Sequence, residues 1–208
     1  MQQPLLMRCC ICLNVSMCKE QAQIIVFTGN GKGKTTSALG LAVTEAVNGN
    51  KAVVIQFLKG GGYTGELFAA AFLAPYFTIR QFGYGCPISG EIKDGHSKCT
   101  KCGLCFRENR NPVNGYALKA LSYANEVLQA GQTDILVLDE VSHALKHQLI
   151  PENSITELLL AKPENMTIVL TGRNMPETLT GLADKVVICE AVKHPMSSGI
   201  DARRGIEY

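Results

Sequence analysis

The sequence predicts an α/β domain in which a mostly parallel sheet carries helices on both faces. Three observations lead there. Short, continuously apolar runs alternate with longer segments of helical spacing, the pattern of strands buried on both sides. The first apolar run passes through a glycine-rich turn into a helical segment. The chain has 208 residues, 46% of them hydrophobic and 18% charged, enough for one sizeable core and too few for two.

The elements follow in order. "QIIVF" (23–27) reads as a buried strand, and "TTSALGLAVTEAVN" as a helix with Leu39, Ala42, Val43 and Ala46 on its apolar face. "KAVVIQFL" is a second strand, "GELFAAAFLA" a helix and "FTIRQF" a third strand. "NGYALKALSYANEVLQAG" is a helix stopped by Gly131, where a left-handed residue ends the turn. "DILVLDE", "MTIVLTG" and "KVVICEA" are the remaining strands. Between them lie the helix "SITELLLAK" and a short one opened by Pro176 in "MPETLTGLAD". Residues 83–112 break the pattern: rich in Gly, Cys and charge, they read as a Cys-rich insertion between the third strand and the next helix. Residues 1–22 read as a poorly ordered extension, 23–208 as a single domain, and 191–208 as its C-terminal tail.

Composition narrows the partners. Twenty basic residues face eighteen acidic ones, so the net charge of +2 gives no general attraction to nucleic acid or an anionic membrane. There is no Trp, and no aromatic–basic interleaving of the kind that stacks bases. No apolar run approaches the ~20 residues of a membrane span, and the N-terminus lacks a signal peptide's basic start. The nine cysteines cluster at short gaps, which suits metal ligands or reduced thiols and a cytoplasmic setting better than disulfides.

"GNGKGKTT" (29–36) lies between strand and helix, where glycines turn backbone N–H groups onto phosphate oxygens. Gly29, Asn30, Gly31, Lys32, Gly33, Lys34, Thr35 and Thr36 are the candidate ATP-binding residues. The usual spacing, G-x-x-x-x-G-K-[ST], asks for glycine at 28. That position is Thr28, and the glycine comes one residue later. Asp139 ends the strand "DILVLDE", so a carboxylate stands where it can hold Mg²⁺ together with the Thr35 hydroxyl. Glu140 is a candidate catalytic group beside it, as metal contact or proton acceptor, and Lys34 the catalytic cation. Arg173 in "LTGR" and Lys59 after "VIQF" are further candidate phosphate contacts. These residues give a magnesium-nucleotide site and leave hydrolase, kinase and other transferase chemistry open.

"CTKCGLC" places Cys99, Cys102 and Cys105 in a C-x₂-C-x₂-C run, with Cys86 or His96 as a fourth ligand for zinc or an iron–sulfur cluster. A ferredoxin pattern would continue with cysteine at 109, which is Asn here, and this tilts the choice toward zinc.

The stretches "FTGNGKGKTTSALGLA", "VVIQFLKG", "ILVLDEVSHAL", "VLTGRNMPETLTGLAD" and "VKHPMSSGIDARRGIEY" together resemble the ATP:corrinoid adenosyltransferases of the P-loop type. The resemblance implies a P-loop NTPase-like, RecA-like sheet. It implies attack of a Co(I) corrinoid on C5′ of ATP, with triphosphate leaving and ATP held in reverse, its α-phosphate where a γ-phosphate ordinarily lies. It also implies a reductase or flavoprotein as electron donor and a possible homodimer. In the tail, His194 is then a structural residue or a corrinoid-edge contact, and Arg203 and Arg204 are contacts to corrin side-chain groups or to a partner subunit. Where the family carries aromatic residues against the corrinoid, this chain has Cys86-Pro87-Ile88, with Phe82, Tyr84 or Phe106 as substitutes. The alternative reading is an ATPase module that drives a partner protein, with the Cys-rich segment as a metal-bound docking element.

Overall fold

The computed structural model describes residues 22–61, 65–100 and 102–193. Six strands form one sheet: β1 (Ile24–Thr28), β2 (Ala52–Phe57), β3 (Phe77–Phe82), β4 (Ile135–Asp139), β5 (Thr167–Thr171) and β6 (Lys185–Ile188). Every pairing is parallel, in the order β3-β2-β4-β5-β1-β6. The expected "mostly parallel" sheet is thus parallel throughout these six strands.

Alternation along β1, β2, β4 and β5 divides the core in two. Ile25, Phe27, Ala52, Val54, Phe77, Ile135, Val137 and Val169 point to one face, under α1 (Lys34–Val47) and partly buried residues beside α2 (Gly65–Phe72). Ile24, Val26, Ile55, Phe57, Leu136, Leu138, Ile168 and Leu170 point to the other. That face packs under α5 (Tyr116–Ala130), α6 (Val141–Lys146), α7 (Glu152–Leu160) and α8 (Glu177–Gly181). Strands buried on both sides need no polar alternation, which is why they read as unbroken apolar runs.

Two expectations shift. The buried ridge of α1 is Lys34, Ala38, Ala42 and Ala46, while Leu39 and Val43 are only partly buried at its flank. Small side chains at i, i+4 spacing let the helix axis lie close to the sheet, and the larger residues fill the sides. The segment between β3 and α5, which the sequence marks only as a break in the apolar pattern, carries short helical elements. It holds α3 (Ser89–Lys93), α4 (Leu104–Arg110) and a 3₁₀ turn at Pro112–Asn114. Short local signals of this kind have too few residues for periodicity to show. The helix α6 was likewise not anticipated, and α5 stops at Gly131 in the left-handed conformation as expected.

The N-terminal cysteines Cys9, Cys10, Cys12 and Cys18, and the tail residues His194, Arg203 and Arg204, lie outside the described residues. The exits of β2 and β3 run against each other backbone to backbone: a Cβ on Gly60 would sit 2.1 Å from the Gly83 carbonyl oxygen. Asn109 of α4 pins the same exit, accepting from the Tyr84 N–H at 2.6 Å and donating to the Tyr84 carbonyl at 3.0 Å. Gly40, exposed on α1, has nothing within 4 Å of such a Cβ. Gly60→Ala should therefore destabilise the fold by about 1–3 kcal/mol through overpacking against backbone that cannot swing away. Gly40→Ala should stabilise it by about 0.5–1 kcal/mol through helix propensity. Urea denaturation of the two variants checks both signs.

Candidate functional site

The site forms at the C-terminal ends of the strands, where α1 begins. β1 runs one residue further than the standard loop spacing allows: Thr28 is still paired with Ile188 of β6, and its carbonyl accepts from the Cys189 N–H at 2.7 Å. Its hydroxyl accepts from the Met175 N–H at 3.3 Å. The turn therefore starts at Gly29, at φ +102°, where a Cβ would lie 2.5 Å from the Cys189 carbonyl oxygen. This accounts physically for Thr at 28 and Gly at 29. Gly31 then donates its N–H to the same Cys189 carbonyl at 2.7 Å, which seats the loop on the end of β6.

α1 opens after Gly33 with no side-chain cap and no acidic residue in its first turn. Its unpaired N–H groups and partial positive charge are thus left for an anion. Lys34 is only 6% exposed, and its ammonium donates to the Gly31 carbonyl at 2.6 Å. Asn30, Lys32 and Thr36 are exposed around this centre.

One carboxylate joins the loop to the sheet. Asp139, 1% exposed, accepts from the Thr35 hydroxyl at 2.8 Å and the Thr171 hydroxyl at 2.6 Å on one oxygen. Its other oxygen accepts from the Gln56 amide at 3.0 Å. Because Thr35 gives its proton to Asp139, its hydroxyl lone pairs stay available. A hard cation meets here the oxygen donors it prefers, so the residues fit Mg²⁺.

Glu140 follows at φ +60°, an unusual backbone for a residue with a side chain, and its N–H donates to the Thr171 hydroxyl at 3.0 Å. Burial, and then the Asp139 charge, push the Glu140 carboxyl above its ordinary range; Lys34, Arg173 and Lys59 pull against them. Arg173 is itself exposed, two residues past the end of β5, and its charge, like those of Lys34 and Lys59, favours the ionised form of this carboxyl.

The sequence reading did not single out Gln56, Glu66 or Thr171. Lys59 pairs with Glu66 at 2.6 Å, and the Gln56 amide reaches the same Glu66 oxygen at 3.4 Å. The signal was present for Gln56, a lone amide inside the apolar run "VVIQFL", but nothing in a single strand says which neighbour it meets.

Cys99 and Cys102 are exposed, Cys86 and Cys105 half-buried, and among the described residues no three His, Cys, Asp or Glu side chains gather as a metal would require. Of the aromatic candidates, Phe82 packs on Tyr123 with ring centroids 5.7 Å apart, whereas Phe106 is 63% exposed. Among the described residues no helix is long and apolar enough to cross a membrane.

The Glu66 carboxyl carries a pH signature. Burial opposes its ionisation, but the hydrogen bond and charge of Lys59 outweigh it and hold the group below 4.5. A depressed carboxyl stabilises the fold above the unfolded value and loses that contribution as pH falls through the folded one. For a partly exposed pair the contribution is on the order of 1 kcal/mol or less. The stability difference between the unsubstituted chain and Glu66→Gln should thus be constant above about pH 5 and shrink below 4.5, as read by urea denaturation across that range.

With this geometry in place, the relatives are informative. Residues 20–208 match the model of the family described as ATP:corrinoid adenosyltransferase BtuR/CobO/CobP. The Corrinoid adenosyltransferase of Escherichia coli (strain K12) is 30% identical over 192 residues, 91% of this chain and 87% of that protein. The Corrinoid adenosyltransferase CobA of Salmonella typhimurium (strain LT2) is 30% identical over 193 residues, with the same shares covered. That of Sinorhizobium sp is 33% identical over 190 residues, 91% of this chain and 81% of its own length. A phosphate loop, an acidic strand end and a match that runs through nearly the whole chain agree: this protein belongs to the ATP:corrinoid adenosyltransferase BtuR/CobO/CobP family.

Proposed function

We propose that this chain transfers the 5′-deoxyadenosyl group of ATP to the Co(I) of a reduced corrinoid and releases triphosphate, in adenosylcobalamin biosynthesis or salvage. The observation that carries the reading is the joining of Thr35 to Asp139 beside a buried Lys34, in a chain that matches this family along 20–208. The separation of β1 from β4 by β5 supports a P-loop NTPase-like, RecA-like sheet.

The cobalt electron pair forms a Co–C bond at C5′, and the C5′–O bond breaks. Cobalt is thereby formally oxidised from Co(I) to Co(III), and the electron pair of the broken bond stays on the α-phosphate oxygen. Negative charge appears there and nowhere else, so catalysis needs cations at the sugar-proximal end of the triphosphate. Lys34 and the uncapped start of α1 are the groups built for that end when ATP lies in reverse. Lys32, Arg173 and Lys59 neutralise the rest of the chain of phosphates. Thr35 and Asp139 would hold Mg²⁺, which supplies further neutralisation of the leaving triphosphate. Glu140 lies within the electrostatic influence of Lys34, Arg173 and Lys59 and accepts no proton in the transfer, because the cobalt nucleophile has none to give.

Gly29 is set by the extra residue of β1, and we connect that displaced turn to the reversed nucleotide. The nucleophile exists only after an electron has reached the corrinoid, and a reductase or flavoprotein is the partner class with that chemistry. A second copy of the chain is a further partner, read by mass in solution. Among the described residues no three cysteine, histidine or acidic side chains gather as a ligand set for zinc or a cluster, and no step runs through Cys86, Cys99, Cys102 or Cys105.

Incubation with ATP, Mg²⁺ and chemically reduced cobalamin should give a light-sensitive adenosyl corrinoid and triphosphate. Lys34→Ala should lower kcat about 100- to 1000-fold, the usual cost of removing one group aimed at developing charge. ADP and phosphate formed without any corrinoid would instead favour the partner-driving ATPase.

A further inference from the structure

Gln56 stands out because it is fully buried, carries no charge and belongs to no loop, yet it touches two carboxylates. Its neighbours are set by register. β2 pairs with β3 through Gln56↔Gln81 and with β4 through Gln56↔Asp139. Gln81, Gln56 and Asp139 therefore stand side by side across three strands, on the face that carries Ala52, Val54, Ile135 and Val137 under α1. Thr171 on β5 continues the row through its 2.6 Å bond to Asp139. The apolar floor beneath α1 thus ends, at the strand tips, in a four-residue polar ladder.

The ladder also fixes which way the amide faces. Gln81 donates to the Gln56 carbonyl oxygen at 2.8 Å. The Gln56 NH₂ is thereby turned toward the Asp139 and Glu66 oxygens, at 3.0 and 3.4 Å. A flipped amide would set its oxygen against both carboxylates, so only one orientation satisfies every group.

We propose that Gln56 is a positioning residue for the metal-binding carboxylate: its amide, held by Gln81, orients Asp139 and ties it to the Lys59–Glu66 pair at the start of α2. The inference rests on the proposed magnesium-nucleotide site. The two N–H groups of one amide bridge two acids that would otherwise repel. One acid faces the loop through Thr35, and the other holds Lys59, proposed above as a neutralising cation for the phosphates. Groups that orient a metal ligand in this way commonly account for 10- to 100-fold in metal affinity.

The experiment is nucleotide binding without corrinoid, by calorimetric titration of ATP over a range of Mg²⁺ concentrations and again in excess EDTA. Gln56→Met keeps the volume and removes both donors. It should raise the Mg²⁺ concentration needed for half-maximal tightening of ATP by about 10- to 100-fold, with affinity in EDTA unchanged. Gln81→Leu leaves Asp139 untouched and frees the amide to turn, so it should shift the same midpoint in the same direction by less. This second variant also carries the test if Gln56→Met does not fold. Equal weakening with and without Mg²⁺, or no shift in a folded Gln56→Met, would overturn the proposal. So would a normal midpoint in Gln81→Leu. Because no corrinoid is present, failure here is distinct from failure of the adenosyl transfer itself.

Discussion

Everything at this site hangs on how one buried carboxylate is surrounded. Asp139 has left water almost completely, and an isolated carboxylate there would be costly. Three neutral donors from three different elements make it tolerable: Thr35 from the first turn of α1, Thr171 from β5 and Gln56 from β2. Hydrogen bonds to an ionised acceptor are the stronger kind, about 1.5–3 kcal/mol each. The same bonds that satisfy the acid hold the helix start against the sheet. Loop, strand ends and carboxylate are therefore held in one arrangement by the fold itself.

The fold places charge by the same economy of position. Alternation sends the side chains of successive residues to opposite faces, so the residue that ends β4 falls on the α1 side. The loop after β1 is gripped by the end of β6, through the Cys189 carbonyl. Lys34 is turned inward and Arg173 and Lys59 approach from neighbouring strand exits, all close enough to act on Glu140. Positive groups thereby collect over one end of the parallel sheet, where ligands of open α/β sheets bind. A polyanion fits this end. In the proposed reaction, which bond of ATP breaks depends on which phosphate lies nearest the helix start.

Much of this was legible in the residues. The six strands and the helix stop at Gly131 follow from apolar runs and turn chemistry, which are local. Lys34, Thr35 and Asp139 were readable because loop and acidic strand end form a recognisable pair. Gln56, Gln81 and Thr171 were not, because their meaning lies in cross-strand register, and register depends on strand order that no single segment encodes. Thr28 shows the same limit from the other side. Its departure from the loop pattern was visible, but its cause, one further rung of pairing with β6, needed the sheet. On α1, Ala42 and Ala46 are buried as the spacing predicts, but Ala38 replaces Leu39 and Val43 on the closest ridge, because close approach to the sheet selects small side chains and leaves the larger ones at the flank.

The central claim is that charge develops on the α-phosphate oxygen, so that carbon and not phosphorus is attacked. ATP labelled with ¹⁸O at the oxygen bridging C5′ and the α-phosphorus tests it in one turnover with reduced corrinoid, read by mass spectrometry of the products. The expected result is triphosphate carrying the label and an adenosyl corrinoid without it. Label retained in ADP, with unlabelled phosphate released, would contradict the claim.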